Sequence, residues 1–284
     1  MTSHQTQPGA IFVTGATGGI GFATSRALKE RGFRVFGSFL PVEDAAALRE
    51  LGVEPIRLDV TDTDSVDAAR DEVVRLLGGA PLAGLVNNAG IADGGPIELL
   101  DLNSVRRMLD VNVFGVFAVT KAFLPLLRQS KGRIVNVSSM SGRLAVPFLG
   151  PYCACKFALE AISDTLRREM LPFGVDVVVV QPAVTRTPIW DRVADVDVGR
   201  FRGTPYERVA EKVKKRMAKS QRKGLDPAVI AAAIVRGLTE AHPPTRIPVV
   251  RKGKKGRLIL QDWLPDRMID RIVAKKIWAG NEPE

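Results

Sequence analysis

Residues 10–21 read AIFVTGATGGIG. The first four residues are apolar throughout, as is typical of a strand that is covered on both faces of a parallel sheet. The glycines that follow lead into a helical pattern that begins at Ile20. Glycines at such a turn let the backbone approach a pyrophosphate, and the next helix offers free N–H groups and a positive dipole. The stretch therefore predicts the first strand, turn and helix of a dinucleotide-binding βαβ unit.

The rest of the chain repeats this alternation of short apolar runs and longer helical patterns. Predicted strands are Ala10 to Thr14, Arg34 to Ser38, Val53 to Leu58, Gly84 to Asn87, Arg133 to Val137, Val175 to Val180 and Arg246 to Val250. Predicted helices are Ile20 to Arg31, Glu43 to Leu51, Asp64 to Leu77, Ser104 to Leu127, Pro151 to Leu171, Tyr206 to Lys219 and Pro227 to Glu240. Two helix starts are expected, with Asn103 and Asp226 as N-caps.

This rhythm predicts an α/β fold, a single Rossmann-type doubly wound parallel sheet of about seven strands with helices on both faces. We find no internal repeat and no convincing linker. We therefore expect residues 1–250 to form one dinucleotide-binding and catalytic domain. Residues 251–284 are expected to form a basic amphipathic extension that packs on the same domain.

Composition excludes several classes of protein. The chain has 284 residues, 45% of them hydrophobic, and 2 Cys, so disordered, collagen-like and disulfide-framework proteins are ruled out. Cys153 and Cys155 lie too close together for a useful cross-link and suggest a reducing compartment. We see neither a secretory signal in residues 1–10 nor an apolar run of about 18 residues, the length that a membrane span needs. The expected location is cytoplasmic.

Polar residues and glycines follow two further strands. Asp59 and Val60 come after the third strand, and Asn87-Asn88-Ala89-Gly90 comes after the fourth. Ligands of doubly wound sheets bind at the carboxyl ends of the strands, so these residues and the glycine turn should meet in one crevice. The same residue types also favour ordinary turns. Taken singly, each position leaves both interpretations open.

A second constellation lies on the predicted helix from Pro151. Tyr152 and Lys156 are four residues apart and so share a helix face, and Ser139 precedes Tyr152 by 13 residues. Tyrosine ordinarily titrates at about 10, so acid/base chemistry at neutral pH needs a neighbouring cation that favours the phenolate. Lys156 would supply that charge, although the same spacing also occurs by chance on helix surfaces.

Between residues 10 and 250 the chain resembles the short-chain dehydrogenase/reductase family. The resemblance rests on motifs in the family's order and spacing: Thr14-Gly15-x-x-x-Gly19-x-Gly21, Asn87 to Gly90, Asn112, Ser139, Tyr152-x-x-x-Lys156 and Pro182 to Thr187. It implies that Tyr152 exchanges a proton with the substrate oxygen, to which Ser139 donates a hydrogen bond. It also implies that Lys156 holds the cofactor ribose and favours the phenolate, and that Asn112 anchors a water.

The resemblance further implies a nicotinamide cofactor, with Asp59 at the adenine, Asn87 and Gly90 at the ribose, and Thr187 at the carboxamide. The full set of expected cofactor contacts is Gly15, Thr17, Gly19, Ile20, Gly21, Ser38, Asp59, Val60, Asn87, Ala89, Gly90, Tyr152, Lys156, Pro182, Thr185 and Thr187. No metal site is predicted. Two positions depart from the family pattern: Cys155 replaces a serine, and Ala183 replaces a glycine after Pro182.

The exit of the second strand, Ser38-Phe39-Leu40-Pro41, carries no charge. Lacking a cation for a 2′-phosphate, it favours NAD, with NADP left open. The stretch also resembles the retinol, hydroxysteroid and 3-hydroxybutyrate dehydrogenase branch.

Apolar segments from Met140 to Pro151 and after Thr187 suggest a lipophilic alcohol or ketone such as a steroid, retinoid or hydroxy-lipid. They could equally serve only to pack a lid. Two other functions stay open: an NADPH-dependent ketone or 3-ketoacyl reductase, and a non-catalytic dinucleotide-binding regulatory protein.

The net charge of +10 is unevenly distributed. Residues 1–199 hold 20 Lys and Arg against 22 Asp and Glu, whereas residues 200–284 hold 21 against 9. Beyond the last predicted strand, a basic cluster at 251–257 precedes an amphipathic stretch from Leu258 to Val273. Such a segment could lie on an anionic membrane, but we favour packing against the domain or a neighbouring subunit.

We expect no nucleic-acid partner, because reader motifs and stacking aromatics are missing. By resemblance we expect a homodimer or homotetramer through the helices Ser104 to Leu127 and Pro151 to Leu171.

Overall fold

Seven short strands form one sheet in the computed structural model, which describes residues 9–190, 197–251 and 264–278. The strands are β1 Ala10–Val13, β2 Arg34–Phe39, β3 Glu54–Arg57, β4 Leu82–Asn87, β5 Arg133–Val137, β6 Asp176–Pro182 and β7 Arg246–Val249. Their order is β3-β2-β1-β4-β5-β6-β7, and every neighbouring pair is parallel. The strand order reverses between β1 and β4, which opens a crevice at their carboxyl ends. The predicted fold class is confirmed.

Helices cover both faces of this sheet. They are α1 Gly19–Lys29, α2 Ala46–Glu50, α3 Thr63–Leu77, α4 Leu102–Leu109, α5 Gly115–Ser130, α6 Gly150–Met170, α7 Glu207–Arg222, α8 Pro227–Thr239 and α9 Asp266–Trp278. On one face, α3, α5 and α6 bury Val73, Phe123 and Leu166 against the strands. On the other, α1 and α8 bury Leu28 and Ile234. Because both faces are covered, the central strands consist mostly of apolar residues.

The helix predicted from Ser104 to Leu127 divides into two. A π-helical turn, Asp110–Phe114, separates α4 from α5. The prediction of Asn103 as N-cap is wrong: Asp101 caps α4, and its carboxylate accepts from the backbone N–H groups of Asn103 and Ser104 at 3.2 and 3.3 Å. A cap oxygen reaches two or three residues ahead, so the cap precedes Leu102, the first helical residue. Asp226 is confirmed as the cap of α8, because it accepts from the Ala228 N–H at 3.0 Å.

One helical stretch in the described part of the chain, Leu102–Ser130, is long and apolar enough to cross a membrane. The core helix of a globular fold meets the same criterion. In this structure the stretch lies against the sheet, where Val119, Phe123 and Leu127 are buried. We therefore describe it as a core helix.

The described part of the C-terminal segment contacts α7. The rings of Tyr206 and Trp278 lie 6.3 Å apart, and the Arg216 guanidinium donates to the Lys276 carbonyl at 3.1 Å. The predicted basic cluster, apart from Arg251, and the start of the amphipathic stretch fall within 252–263, outside the described residues. The division of the chain at residue 250 stays a prediction.

Candidate active site

A cleft with a cavity of about 530 Å³ lies at the carboxyl ends of the strands. Most of the residues expected to bind a cofactor or to react line it: Gly15, Thr17, Gly19, Ile20, Ser38, Asp59, Val60, Ala89, Gly90, Ser139, Tyr152, Lys156, Pro182, Thr185 and Thr187. Gly21, Asn87 and Asn112 do not line it. Segments that follow six of the strands, β1 to β6, thus meet at the carboxyl ends of the sheet.

The glycine turn is fixed from both sides. The Gly15 N–H donates to the Ser38 hydroxyl at 2.9 Å, which ties the turn to β2. Gly19 has a φ of +49°, and a Cβ there would lie 2.8 Å from Cγ2 of Thr187. Gly21 packs directly against the turn, because a Cβ at this position would overlap the Gly15 carbonyl oxygen. Only glycine fits at these two places, and the N-terminus of α1 consequently faces the cleft.

The side chain of Asn87 turns away from the cleft, and its expected place at the cofactor ribose stays a prediction. Its side chain is buried, and its amide donates to Thr120 Oγ1 at 2.9 Å and to Asn136 Oδ1 at 2.8 Å. Asn88 faces the cleft instead, and its amide donates to the carbonyls of Thr14 and Gly15 at 2.9 and 3.0 Å. Successive side chains at the end of a strand point in opposite directions, so only one of the two neighbours can reach the cleft.

Asn112 lies behind the cleft, on the π-helical turn. Its Oδ1 accepts from the Ile91 N–H at 2.9 Å, and its amide donates to the Ile91 carbonyl at 2.8 Å. The Cys155 thiol also hydrogen-bonds with Asn112. The cysteine that replaces the family's serine therefore still makes a polar contact here. Both contacts hold the loop after β4 against α6.

Ser139, Tyr152 and Lys156 lie together in the cleft wall. Ser139 follows β5, and its hydroxyl accepts from the Ser141 N–H at 3.0 Å, which fixes the side chain. The Tyr152 hydroxyl is hydrogen-bonded to Ser139. One turn along α6, Lys156 Nζ lies 5.8 Å from the centre of the Tyr152 ring and donates to the Val137 carbonyl at 2.9 Å.

Burial dominates the proton affinity of both ionisable groups. It raises the pKa of Tyr152 to about 12, with the Ser139 hydrogen bond acting in the opposite direction. It lowers the pKa of Lys156 to about 8, with nearby Cys155 and Glu160 acting in the opposite direction. Lys156 is not among the groups that shift the pKa of Tyr152 here, so the expected lowering of that pKa by the ammonium stays a prediction. Tyr152 is accordingly a neutral phenol at pH 7, able to donate a proton.

Sequence reasoning missed three charged residues that line the cleft: Glu43, Arg107 and Asp110, the last on the π-helical turn. Glu43 folds back from the loop after β2, and its carboxylate accepts from the Leu40 N–H at 2.8 Å and from the Thr17 hydroxyl at 2.9 Å. Arg107, on α4, also lines the cleft. Glu43 lies beyond the uncharged stretch Ser38 to Pro41, and the fold of the loop brings its carboxylate back to the cleft. Trp190, expected as a substrate wall, meets the Tyr152 ring edge to face at 5.5 Å.

The cleft fits a nicotinamide dinucleotide. The Thr187 hydroxyl is buried in its wall and has no hydrogen-bond partner among the described residues. Such a group needs a partner from outside the chain. The glycine turn offers backbone N–H groups for phosphates, and the Asp59 carboxylate, which accepts from the Thr61 N–H and hydroxyl, lines the far part of the cleft.

Comparisons with known proteins agree with this geometry. Residues 9–197 match the family profile described as short chain dehydrogenase. The chain is 35% identical to retinol dehydrogenase 16 of Rattus norvegicus, over 96% of this chain and 89% of that protein. It is 37% identical to D-beta-hydroxybutyrate dehydrogenase, mitochondrial, of Rattus norvegicus (84% and 75%). It is 33% identical to NADPH-dependent 3-dehydrocapnine reductase of Ornithobacterium rhinotracheale (93% and 96%). A crystal structure of a short-chain dehydrogenase from Streptomyces avermitilis superposes with a TM-score of 0.74 and 26% identity, over 96% of this chain and 97% of that one.

Proposed function

Because the chain belongs to the short-chain dehydrogenase family of oxidoreductases, we propose that it interconverts a secondary alcohol and a ketone on a lipophilic substrate. The observation that carries this proposal is the buried Tyr152 phenol, hydrogen-bonded to Ser139 in a cleft that also holds Lys156 and the glycine turn. The relatives named above are dehydrogenases of retinol, a primary alcohol, and of hydroxybutyrate, a secondary alcohol, which supports oxidation and reduction at a CH–OH group here.

The proposed chemistry needs few groups from the chain. A bound nicotinamide supplies or accepts the hydride. Tyr152 donates its proton to the ketone oxygen during reduction. In the oxidation direction it would first have to be a phenolate in order to receive the alcohol proton, a form that the neighbouring Lys156 ammonium would favour. Ser139 donates a hydrogen bond to the same oxygen and so orients the reacting carbon. Lys156 would bind the cofactor ribose, and Asn112, which acts through Ile91 and Cys155, is a positioning residue.

We propose NAD as the cofactor. The Glu43 carboxylate is hydrogen-bonded to Thr17 and lines the cleft at the exit of β2, where a 2′-phosphate of NADP would bring further negative charge. Ser38 is already engaged by the glycine turn. Arg107 is the observation that favours NADP, because it adds a cation to the same cleft. The NADPH dependence in the name of one relative points the same way.

The apolar walls support a lipophilic substrate of the steroid, retinoid or hydroxy-lipid type. Trp190 and Leu149 are buried in one apolar cluster with Tyr152, and Val146 and Ile189 pack against it. Such walls exclude water and leave few polar groups to fix the substrate.

We also propose a homo-oligomer in the cytoplasm. Family members commonly assemble, and the exposed Phe117 on α5 and Phe157 on α6 place aromatic surface on both expected interface helices. Two free buried thiols, Cys153 and Cys155, agree with a reducing compartment. Fractionation of cells that express the tagged full chain tests the location; recovery with mitochondria or membranes would contradict it.

The decisive experiment compares the chain's two tyrosines. A panel of hydrophobic secondary alcohols and ketones, assayed by nicotinamide absorbance with both cofactors, first identifies a substrate. Tyr152→Phe should then lower kcat at least about 1,000-fold while NADH still binds. Tyr206→Phe, which loses only a hydrogen bond to Glu98, should retain turnover. Retained activity in Tyr152→Phe would overturn the mechanism.

A further inference from the structure

A buried carboxylate lies one turn beyond Lys156 on α6, and the proposed mechanism does not use it. Tyr152, Lys156 and Glu160 are spaced four residues apart, so they lie along one face of the helix. Glu160 is only 8% exposed. A glutamate is almost never buried to this extent unless it is paired. Its partners therefore decide what this carboxylate can do.

Glu160 is held in place by the last two strands of the sheet. Its Oε1 accepts from the Gln181 amide on β6 at 3.0 Å, and its Oε2 accepts from the Arg246 guanidinium on β7 at 2.9 Å. Arg246 also pairs with Asp164, one turn further along α6, at 3.0 Å. A cation that is shared between two carboxylates offsets only part of the charge of each. Glu160 therefore has a fixed orientation and keeps a net negative effect on its surroundings.

The turn that carries Ser139 packs against the same part of α6. Ser139 precedes the short turn Met140–Gly142. A Cβ at Gly142 would lie 3.0 Å from the Lys156 carbonyl oxygen and 3.1 Å from Cγ of Glu160. The side chain of Glu160 thus lies directly behind the cleft wall that holds Ser139 and Lys156.

The charged and titratable groups around Lys156 and Glu160 come from several elements. They are Tyr152, Cys155, Asp164 and Arg167 on α6, Arg107 on α4, Asp110 on the π-helical turn and Arg246 on β7. Burial lowers the pKa of Lys156 to about 8, and Cys155 and Glu160 act against it. Burial also raises the pKa of the Cys155 thiol, so this thiol is neutral at pH 7. The negative charge that favours the Lys156 ammonium therefore comes from Glu160.

We infer that Glu160 is a positioning residue of the reaction: its carboxylate keeps the buried Lys156 charged, and Arg246 limits how strongly it does so. The inference rests on the proposed function, in which the Lys156 ammonium binds the cofactor ribose and favours the phenolate form of Tyr152. Glu160 acts only through Lys156, because its oxygens are bonded to Gln181 and Arg246 and it does not line the cleft. Removing either member of the ion pair should then shift the protonation of Lys156, in opposite directions.

Titration of Lys156 by NMR in the full chain tests this directly. Lysine labelled with ¹³C at Cε reports its own protonation, and the resonance of Lys156 is the one that is lost in Lys156→Met. Glu160→Gln keeps groups that can hydrogen-bond with Gln181 and Arg246, and it removes the charge. We expect Lys156 in this variant to titrate at a pH that is lower by about 0.5 or more than in the original chain.

Arg246→Gln should give the opposite sign. It removes the cation that offsets Glu160, so Lys156 should titrate at a higher pH than in the original chain. A merely structural role would not separate the two variants, because each weakens the same ion pair and would loosen α6 alike. Glu54→Gln weakens a comparable ion pair, with Arg34, between β2 and β3 at the other end of the sheet, and should leave the titration unchanged.

NADH affinity gives a second readout. Loss of the ammonium weakens the contact with the ribose, so at pH 8 NADH should bind about threefold more weakly to Glu160→Gln than to the original chain. At pH 6, where Lys156 is charged in both, the two affinities should be equal. Circular dichroism shows whether each variant folds; if Glu160→Gln does not, the direction of the shift in Arg246→Gln alone decides.

Unchanged titration of Lys156 in both variants, or a shift in the same direction in both, would contradict the inference. So would an Arg246→Gln variant in which Lys156 titrates at a lower pH. Failure of the proposed function is a separate result, because it appears as retained turnover in Tyr152→Phe, whereas the NMR titration needs neither cofactor nor substrate.

Discussion

Lys156 places an ammonium in a fully buried position, where it donates a hydrogen bond to the Val137 carbonyl at 2.9 Å. Burial lowers its pKa from 10.5 to about 8. Between these two values the unfolded chain holds the proton and the folded chain does not. The free energy of unfolding therefore rises with pH across this window, by about 3 kcal/mol in total from this group.

Urea unfolding between pH 7 and 10.5 measures this effect. Other groups also titrate in the window, so the informative quantity is the difference between the original chain and Lys156→Met. That difference should grow in favour of the original chain as the pH rises from about 8. Lys219→Met, at an exposed position on α7, should show no such trend. A flat difference for Lys156→Met would mean that the ammonium is not desolvated as the structure implies.

Glu43 is the residue on which cofactor choice depends in our proposal. Glu43→Gln keeps a group that can hydrogen-bond with Thr17 and removes the negative charge. The ratio of the NADPH to the NADH dissociation constant should fall about fivefold, because repulsion of the 2′-phosphate is lost. Glu30→Gln removes the same charge beyond the end of α1 and should leave the ratio unchanged. Fluorescence titration of both cofactors decides between these outcomes.

Residue-level prediction from sequence succeeded where spacing alone determines position. Tyr152 and Lys156 follow from the helix period, and Ser139 follows from the end of a strand. The direction of the Asn87 side chain and the place of Glu43 in the cleft could not be predicted in this way. The first depends on which side chain of a consecutive pair turns toward the cleft, and the second on how a loop folds back. Neither property leaves a periodic pattern in the sequence.

At the scale of one element, the glycine turn offers a matched pair of substitutions. Gly21→Ala would force a Cβ into the Gly15 carbonyl and to 2.7 Å from the Asn88 amide nitrogen. Gly18 has a φ of −132° and open space around an added Cβ. We expect Gly21→Ala to cost about 2 kcal/mol of stability and at least tenfold in NADH affinity, and Gly18→Ala to change neither appreciably.

Thermal unfolding and NADH titration of both glycine variants check this expectation. Equal behaviour of the two would show that the close approach of Gly21 to Gly15 does not shape the cofactor site. The comparison is informative because the two glycines lie three residues apart in one turn, so a general effect of alanine on the loop would appear in both.

Element boundaries illustrate what local patterns can and cannot predict. The apolar run from Ser104 to Leu127 predicts one helix; the observed helical stretch begins at Leu102 and ends at Ser130, within three residues of the predicted ends. The π-helical turn within it places Asn112 against Ile91 and Cys155, contacts that are made by residues distant in sequence. Such a turn has no local signature. The same reasoning explains the misplaced N-cap, because Asn103 and Asp101 are both good caps and only the backbone decides between them.

For the whole molecule, the sheet was predictable because alternation of apolar runs and helices determines a doubly wound fold almost alone. The apolar cavity of about 420 Å³ between α7, α9 and the loop 144–149 was not predictable, since it forms only where these three segments meet. These segments are far apart in the chain. Their contact depends on tertiary packing that no single segment encodes.

Assembly is the remaining property of the whole molecule, and in our proposal it depends on aromatic side chains that this fold leaves uncovered. Phe114 is 65% exposed and Phe117 56% exposed where α5 begins, and Phe157 on α6 is 44% exposed. Apolar surface concentrated on two neighbouring helices is typical of an interface between identical subunits.

Phe117→Glu/Phe157→Glu should therefore shift the mass measured by light scattering to that of a monomer, because burying two carboxylates at the interface is unfavourable. Val229→Glu, at a 48% exposed apolar position near the start of α8, should keep the oligomer. If the original chain is itself monomeric at every concentration tested, these phenylalanines need another explanation and the proposed assembly is wrong.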